Sequence, residues 1–184
     1  MIRTAGRIVA AIALALTLAG CGTGLGRDLN DAQAVIADLR LHKTPQPGGL
    51  AVAGTADRGA YRAGEPITLS VTANRAAYLS VLRVLRNGVT TIIFPSRTQP
   101  NPHIAANTPV TLRVTAADKG TELYEFIAAA DGTAWPFTRK PPPGAEYVDL
   151  GSTTRALAGD LETTFGPAPP GTVAFAHLVL HVAP

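Results

Sequence analysis

The sequence predicts a mainly β chain: an antiparallel, immunoglobulin-like β-sandwich of six or seven strands, with a short N-terminal helix and a second short helix before the last strand. Three observations lead to it. Short blocks in which apolar and polar residues alternate recur from Leu50 onward. Turn formers, 18 Gly and 15 Pro among 184 residues, separate those blocks. Helical spacing of apolar residues is confined to two brief stretches.

The first segment is not part of that body. Arg3 and Arg7 supply a positive start, and Ile8 to Ala19 follow as about a dozen apolar residues, the length of a signal-peptide core. A membrane-spanning helix needs roughly 20, so this run is too short to remain as a span. Leu18-Ala19-Gly20 then lead into Cys21, the single cysteine of the chain. Small residues before the cut admit an extended backbone to a peptidase, and the thiol after it offers a nucleophile for thioether formation. The tetrapeptide resembles the lipobox of bacterial lipoproteins, which implies a signal peptide over 1–20, recognition through Leu18, Ala19 and Gly20, and covalent lipid on Cys21. Two or more acyl chains make such anchoring stable, where one is marginal. Gly22, rather than an aspartate, follows the cysteine; by resemblance to the sorting rule of enteric bacteria, this implies the outer membrane.

Loss of the signal takes two basic residues with it, so 16 Lys and Arg become fourteen against thirteen Asp and Glu. No Lys/Arg cluster stands out, and nucleic acid is not an expected partner. An acylated Cys21 leaves no thiol for a disulfide, so stability must come from the core.

Residues 21–49 read as lipidated cysteine, tether and helix. Gly22-Thr23-Gly24-Leu25-Gly26 is too glycine-rich to pack. Leu29, Ala32, Val35, Ile36 and Leu39 recur at helical spacing with Asp28 or Asn30 as N-cap, predicting an amphipathic helix near 29–41 whose apolar stripe packs on the domain. His42 closes it, and the proline and glycine run 44–49 stops it.

Residues 50–184 read as the β body. In 66–73, Ile67, Leu69 and Val71 fall on one buried face. Residues 77–86 are apolar on both faces, with Leu79, Val81 and Leu85 on one and Tyr78, Leu82 and Val84 on the other, as in a central strand. Asn87-Gly88 predicts a type I′ turn pairing that strand with 89–94. Strands are also predicted at 109–115, 121–129 and 172–182, with long loops at 96–108 and 135–144. Residues 153–164 predict the second helix, Leu157 and Leu161 facing inward.

The run Ala60-Tyr61-Arg62-Ala63-Gly64-Glu65-Pro66-Ile67, then Ala77-Tyr78-Leu79-Ser80-Val81-Leu82, the turn Asn87-Gly88 and the exit Ile92-Ile93-Phe94-Pro95 resembles the DUF4384 domain, over about residues 55 to 130. The resemblance implies a secreted or surface module to which no chemistry is assigned. Ala76-Ala77 stand where the family commonly has a polar residue, so no binding site is carried over. Elementary physics accounts for the motif: Gly64 supplies a positive φ, Glu65 satisfies exposed amides, Pro95 ends a strand, and Tyr61 and Tyr78 plug the core with a polar tip.

Catalytic patterns are absent from the sequence. His177 and His181 are four apart, but their surroundings read as a strand, which would separate their α-carbons by roughly 13 Å, too far to share an ion. His103 has no aspartate or cysteine near it in sequence, and Glu65 has no second carboxylate at a recognisable spacing. No catalytic residue, metal ligand or cofactor is therefore expected beyond the lipid on Cys21. Recognition falls to loops: Trp135, Phe137, Arg139 and Lys140 combine aromatic area with rim charge, the composition of a partner-binding loop. The expected function is a membrane-anchored envelope lipoprotein whose non-catalytic sandwich binds a protein partner. Alternatives are a cell-wall polymer binding protein or hydrolase, and an accessory lipoprotein of a secretion system.

Overall fold

The computed structural model describes residues 29–41, 46–117, 119–151 and 154–184. The expected signal peptide with Leu18, Ala19, Gly20 and Cys21, and His42 at the end of the expected helix, lie outside these. The predicted β-sandwich is present as two sheets with helices added on one outer face. One sheet has three strands in the order β1 (Val52–Ala56), β3 (Pro66–Ala73), β7 (Val110–Thr115). The larger runs β2 (Ala60–Arg62), β10 (Val173–Ala183), β8 (Gly120–Ala129), β4 (Ala77–Leu85), β5 (Thr90–Phe94), β9 (Val148–Gly151), with β6 (His103–Ile104) beside β4. Pairing is antiparallel except for β2 with β10.

Ten strands among the described residues exceed the six or seven expected because β2, β6 and β9 are only three, two and four residues long. Segments that short carry no readable alternation; they are strands only because a neighbour offers its edge.

Strand β8 shows why the fold has three layers. From Thr121 to Ala129 every residue is buried. Tyr124, Phe126 and Ala128 face the small sheet, joining Ile67, Leu69, Val71, Leu79 and Val81 in one core. Leu123, Ile127 and Ala129 face the other way, joining Leu82, Val84 and Ile92 in a second core closed by helices α1 (Asp31–Ala37) and α2 (Thr154–Phe165). The two faces read from β4 are thus both used. Leu157 and Leu161 of α2 are 5% and 0% exposed, as their spacing required.

Helix α1 starts at the expected cap: the Asn30 side chain accepts from the Gln33 amide at 3.0 Å. It ends at Ala37, shorter than its periodicity, although Leu39 is still buried. Gln33 pins it to the sheet, donating from Nε2 to the carbonyls of Val84 at 3.0 Å and Thr121 at 2.7 Å, and Asn30 Nδ2 donates to the Arg86 carbonyl.

The hairpin between β4 and β5 exists, but its turn is not type I′. Among the described non-glycine residues only Asn107 has a positive φ, so Asn87 does not, while Gly88 sits at +84°. Gly88 N donates to Leu85 O at 2.9 Å and Leu85 N to Val89 O at 2.9 Å, giving a three-residue loop with its left-handed position on the glycine. Asn87 spends its side chain on the Val89 amide at 3.1 Å instead.

The register gives the body two distinct ends. Leu85 lies opposite Glu122, Gly120 opposite Val182, and Ala183 beside Arg62, so the β4–β5 turn, the start of β8, the end of β10 and the start of α1 share one end. Tyr78 lies opposite Ala129, and Ala129 opposite Val173, which puts the loop after β8 at the other. Ten residues of β8 at about 3.3 Å each separate the ends by roughly 30 Å.

Candidate functional site

The predicted loop Trp135 to Lys140 lies at the far end, away from the start of α1. Tight bonds shape it: Phe137 N donates to Ala134 O at 3.1 Å and Arg139 N to Pro136 O at 3.2 Å. Its four candidates part company. Phe137 is 2% exposed, its ring 5.9 Å from Phe165 and 6.5 Å from Tyr78, so it belongs to the helix-side core and offers no area to a partner. Trp135 is half-buried against the same core, while Arg139 and Lys140 are exposed and, among the described residues, form no ion pair. What the loop presents outward is part of Trp135 and two exposed cations.

A polar groove of about 340 Å³ lies along the open edge of β7, lined in part by Ser96, Thr98, Gln99, Arg113, Glu146 and Tyr147. Glu146 is held by the Thr98 hydroxyl at 2.5 Å and the Thr98 amide at 3.1 Å. The hydroxyl bond, more than the Arg97 charge 3.6 Å away, keeps its carboxyl below the usual range. Burial, and then the charge on Glu146, push the Tyr147 phenol up. The groove also guards the edge. Gln99 Nε2 donates to Thr111 O at 3.4 Å, Tyr147 OH to Arg113 O at 3.2 Å and Arg83 Nη2 to Thr115 O at 2.9 Å, so alternate β7 carbonyls meet side chains rather than a foreign strand.

The strongest electrostatic feature was not visible in the sequence. Arg83 grips Glu122 with Nε at 2.8 Å and Nη2 at 2.7 Å, and the same carboxylate accepts from Ala117 N at 2.6 Å and Tyr124 OH at 2.5 Å. Glu122 is 1% exposed and Tyr124 0%. Burial, joined by the charge and hydrogen bond of Glu122 and opposed by the charge of Arg83, raises the Tyr124 phenol far above its usual value. Burial is the largest single influence on Arg83 and opposes its charge, but the hydrogen bonds and charge of Glu122 together with Tyr124 and Tyr147 raise its pKa. Both carboxylate oxygens are engaged by donors, which suits a structural strut rather than a proton-transfer base. An arginine inside an apolar strand and a glutamate inside a fully buried one were the only signals; 39 residues of chain hide their pairing.

The turn before β3 shows what the motif residues do. Gly64 has φ +83°, and the Glu65 carboxylate accepts from Arg62 N at 3.0 Å and Arg58 Nη1 at 3.1 Å, which holds its pKa down. Tyr61, 2% exposed, donates its hydroxyl proton to Asp57 at 2.8 Å and accepts from Arg58 N at 2.9 Å. Downstream, Leu79 and Val81 enter the inter-sheet core, Gly88 makes the turn, and Phe94 ends β5 before Pro95. Residues 60–123 match a family described as a domain of unknown function, DUF4384. The matched segment takes in β2 to β7 and the first residues of β8; β1, β9, β10 and both helices lie outside it. No curated protein matches this chain.

Among the described residues no group of three or more His, Cys, Asp or Glu is placed to hold a metal ion, and no helix is long and apolar enough to cross a membrane. His177 and His181 both lie on β10, a strand as their surroundings required, and His103 stacks edge-on against Tyr78 at 5.2 Å.

Proposed function

We propose that this protein is a lipid-anchored lipoprotein of the bacterial cell envelope, held at the outer membrane facing the periplasm, whose β-sandwich serves as a non-catalytic module for binding or assembling a protein partner. The observation that carries the reading is the opposed placement of two features. The chain segment leading from Cys21 enters the fold at one end, through the Asn30 cap on Arg86. The Trp135, Arg139 and Lys140 surface stands at the other end, about 30 Å away along β8. A tethered body built this way offers its recognition loop outward. The Glu122 carboxylate, with donors on both oxygens, supports a recognition role over hydrolysis, because it is not poised to take a proton.

Two measurements test it. Mass spectrometry of the amino terminus from the native host is expected to find a lipidated Cys21; an intact Met1 with a free thiol would refute the anchor. A photocrosslinker at Lys140 in intact envelopes is expected to capture one defined protein that a probe at Ser70, on the small sheet, does not. Equal capture from both positions would refute the loop as the docking surface.

A further inference from the structure

We propose that the outer edge of β1 is a strand-addition site, which takes a short, extended, uncharged segment of a partner protein and packs its small apolar side chains on the margin of the inter-sheet core. The site depends on neither the anchor at Cys21 nor the Trp135 loop. The two edges of the three-stranded sheet differ in kind. On β7 the outward carbonyls of Thr111, Arg113 and Thr115 are each capped by a side chain. On β1 they are bare. Asn74 N donates to Ala51 O and Asp57 N to Thr68 O, so residues 51, 53, 55 and 57 turn toward β3, and the amides and carbonyls of Val52, Gly54 and Ala56 turn away. Among the described residues none of those outward groups meets a hydrogen-bond partner. Nor does β1 carry a charge, a proline or a bulge, devices that blunt an edge against a foreign strand.

The floor beside this edge is open as well. Leu50 N donates to Gly171 O, and Gly54 lies over Phe126, which stands opposite Ala176, so Val52 to Ala56 run above Ala174 to Leu178. Ala174, Ala176 and Leu178 face the inter-sheet core yet stay half-exposed, while Leu180 and Val182, where β2 and Tyr61 close the margin, are 1% and 4% exposed. One further strand beside β1 would cover them. A row of alternating amides and carbonyls is matched along its length by another extended backbone, and a floor of alanine and leucine takes small apolar side chains at alternate positions. A hollow of about 200 Å³ at the Val52 end, lined in part by Leu50, Pro170, Val173 and Ala174, has room for one larger apolar group. Both ends of β1 turn down to the larger sheet, at Leu50 on Gly171 and at Ala60 beside His181, so the added segment runs for about five residues, roughly 17 Å, before it lifts away. A second copy does not fit. Strands β10 and β2 extend beyond β1 on this side, and a facing β1 would bring its own β10 and β2 into the same space. Ser70 lies on β3, with β1 between it and the added strand.

The test uses full-length protein purified from its host and a synthetic peptide of alternating alanine and valine, with a lysine at each end for solubility. Hydrogen exchange is read amide by amide. In the free protein the amides of Val52, Gly54 and Ala56 are expected to exchange fast, while those of Ala53 and Thr55, turned toward β3, are slow. The peptide is expected to slow the three outward amides several-fold. A strand turns only alternate N–H groups toward its neighbour, so of two further peptides, one N-methylated on its alanines and one on its valines, one should bind as the parent peptide does and the other should not. Ala56→Pro removes one outward N–H and no bond to β3, so it should keep the parent's melting temperature within a few degrees and lose the peptide. Leu178→Lys, which charges the floor and leaves the backbone untouched, should lose it too. Outward amides already slow in the free protein would mean that the chain itself or a second copy covers the edge, and would overturn the site. So would a peptide that slows no amide at its solubility limit, equal binding of the two methylated peptides, or binding unchanged in Leu178→Lys or in folded Ala56→Pro.

Discussion

Arg83 and Glu122 meet diagonally across β4 and β8, where Arg83 stands opposite Tyr124 and Glu122 opposite Leu85, and they close a two-bond fork inside the sandwich. The pair is almost dry: the two side chains are 15% and 2% exposed. Burying both charges costs much of what their attraction returns, so the pair fixes geometry more than it adds stability. Removing one partner is a different matter. Arg83→Met is expected to lose about 3–5 kcal/mol by leaving the Glu122 carboxylate buried without a cation, and Arg83→Met with Glu122→Leu to recover most of that loss. Urea unfolding of the two variants decides it; a single variant as stable as the parent would mean that the pair is solvated.

Gly54 of β1 lies under the Phe126 ring. A β-carbon there would sit 2.2 Å from Phe126 Cζ, and Phe126 is 0% exposed, so the ring cannot step aside. Gly54→Ala is expected to cost about 1–3 kcal/mol by overpacking, read as a lower melting temperature. A Gly59→Ala variant, with open space around its added carbon, is the matched control and should change little.

The loop at the far end divides into core and surface. Phe137→Ala should cost about 3–5 kcal/mol, since it empties a site among Phe165 and Tyr78. Arg139→Ala with Lys140→Ala should stay within about 0.5 kcal/mol of the parent while losing the partner crosslink. Loss of melting temperature in that double variant would return the whole loop to a structural role.

Acid sensitivity follows from Asp57, Glu65 and Glu146, whose pKa values are all lowered. The leading causes are the Thr68 amide, the Arg62 amide and the Thr98 hydroxyl respectively. Each binds its proton more readily in the unfolded chain. The stability they contribute is therefore complete above the ordinary values of 3.8 for Asp and 4.5 for Glu, and is lost as pH falls through the lower folded values. Thermal unfolding followed from about pH 6 to about pH 2 should show a melting temperature that drops only in the acid range. Glu146→Gln should flatten part of that drop, and an unchanged profile would rule out its share.

Much of the architecture was already written in local pattern, because local pattern is what hydrophobic burial reads. Period-two alternation in β3, the two apolar faces of β4, and the helical spacings of α1 and α2 depend only on which residues must leave water. Gly64 and Gly88 were legible for the same reason, since a positive φ is a property of one residue. Other features required the tertiary structure. The short strands β2, β6 and β9 exist only where a partner edge is present, and the Asn87 turn took a different type because the strands close at Leu85 and Val89, leaving three residues between them with the left-handed position on Gly88. Phe137 became core rather than surface because α2 and Tyr78 arrive beside it, and Arg83 found Glu122 across 39 residues through strand pairing. A sequence states what each residue prefers; who stands next to whom, and which end of the body faces which way, is decided by chain segments that meet only on folding.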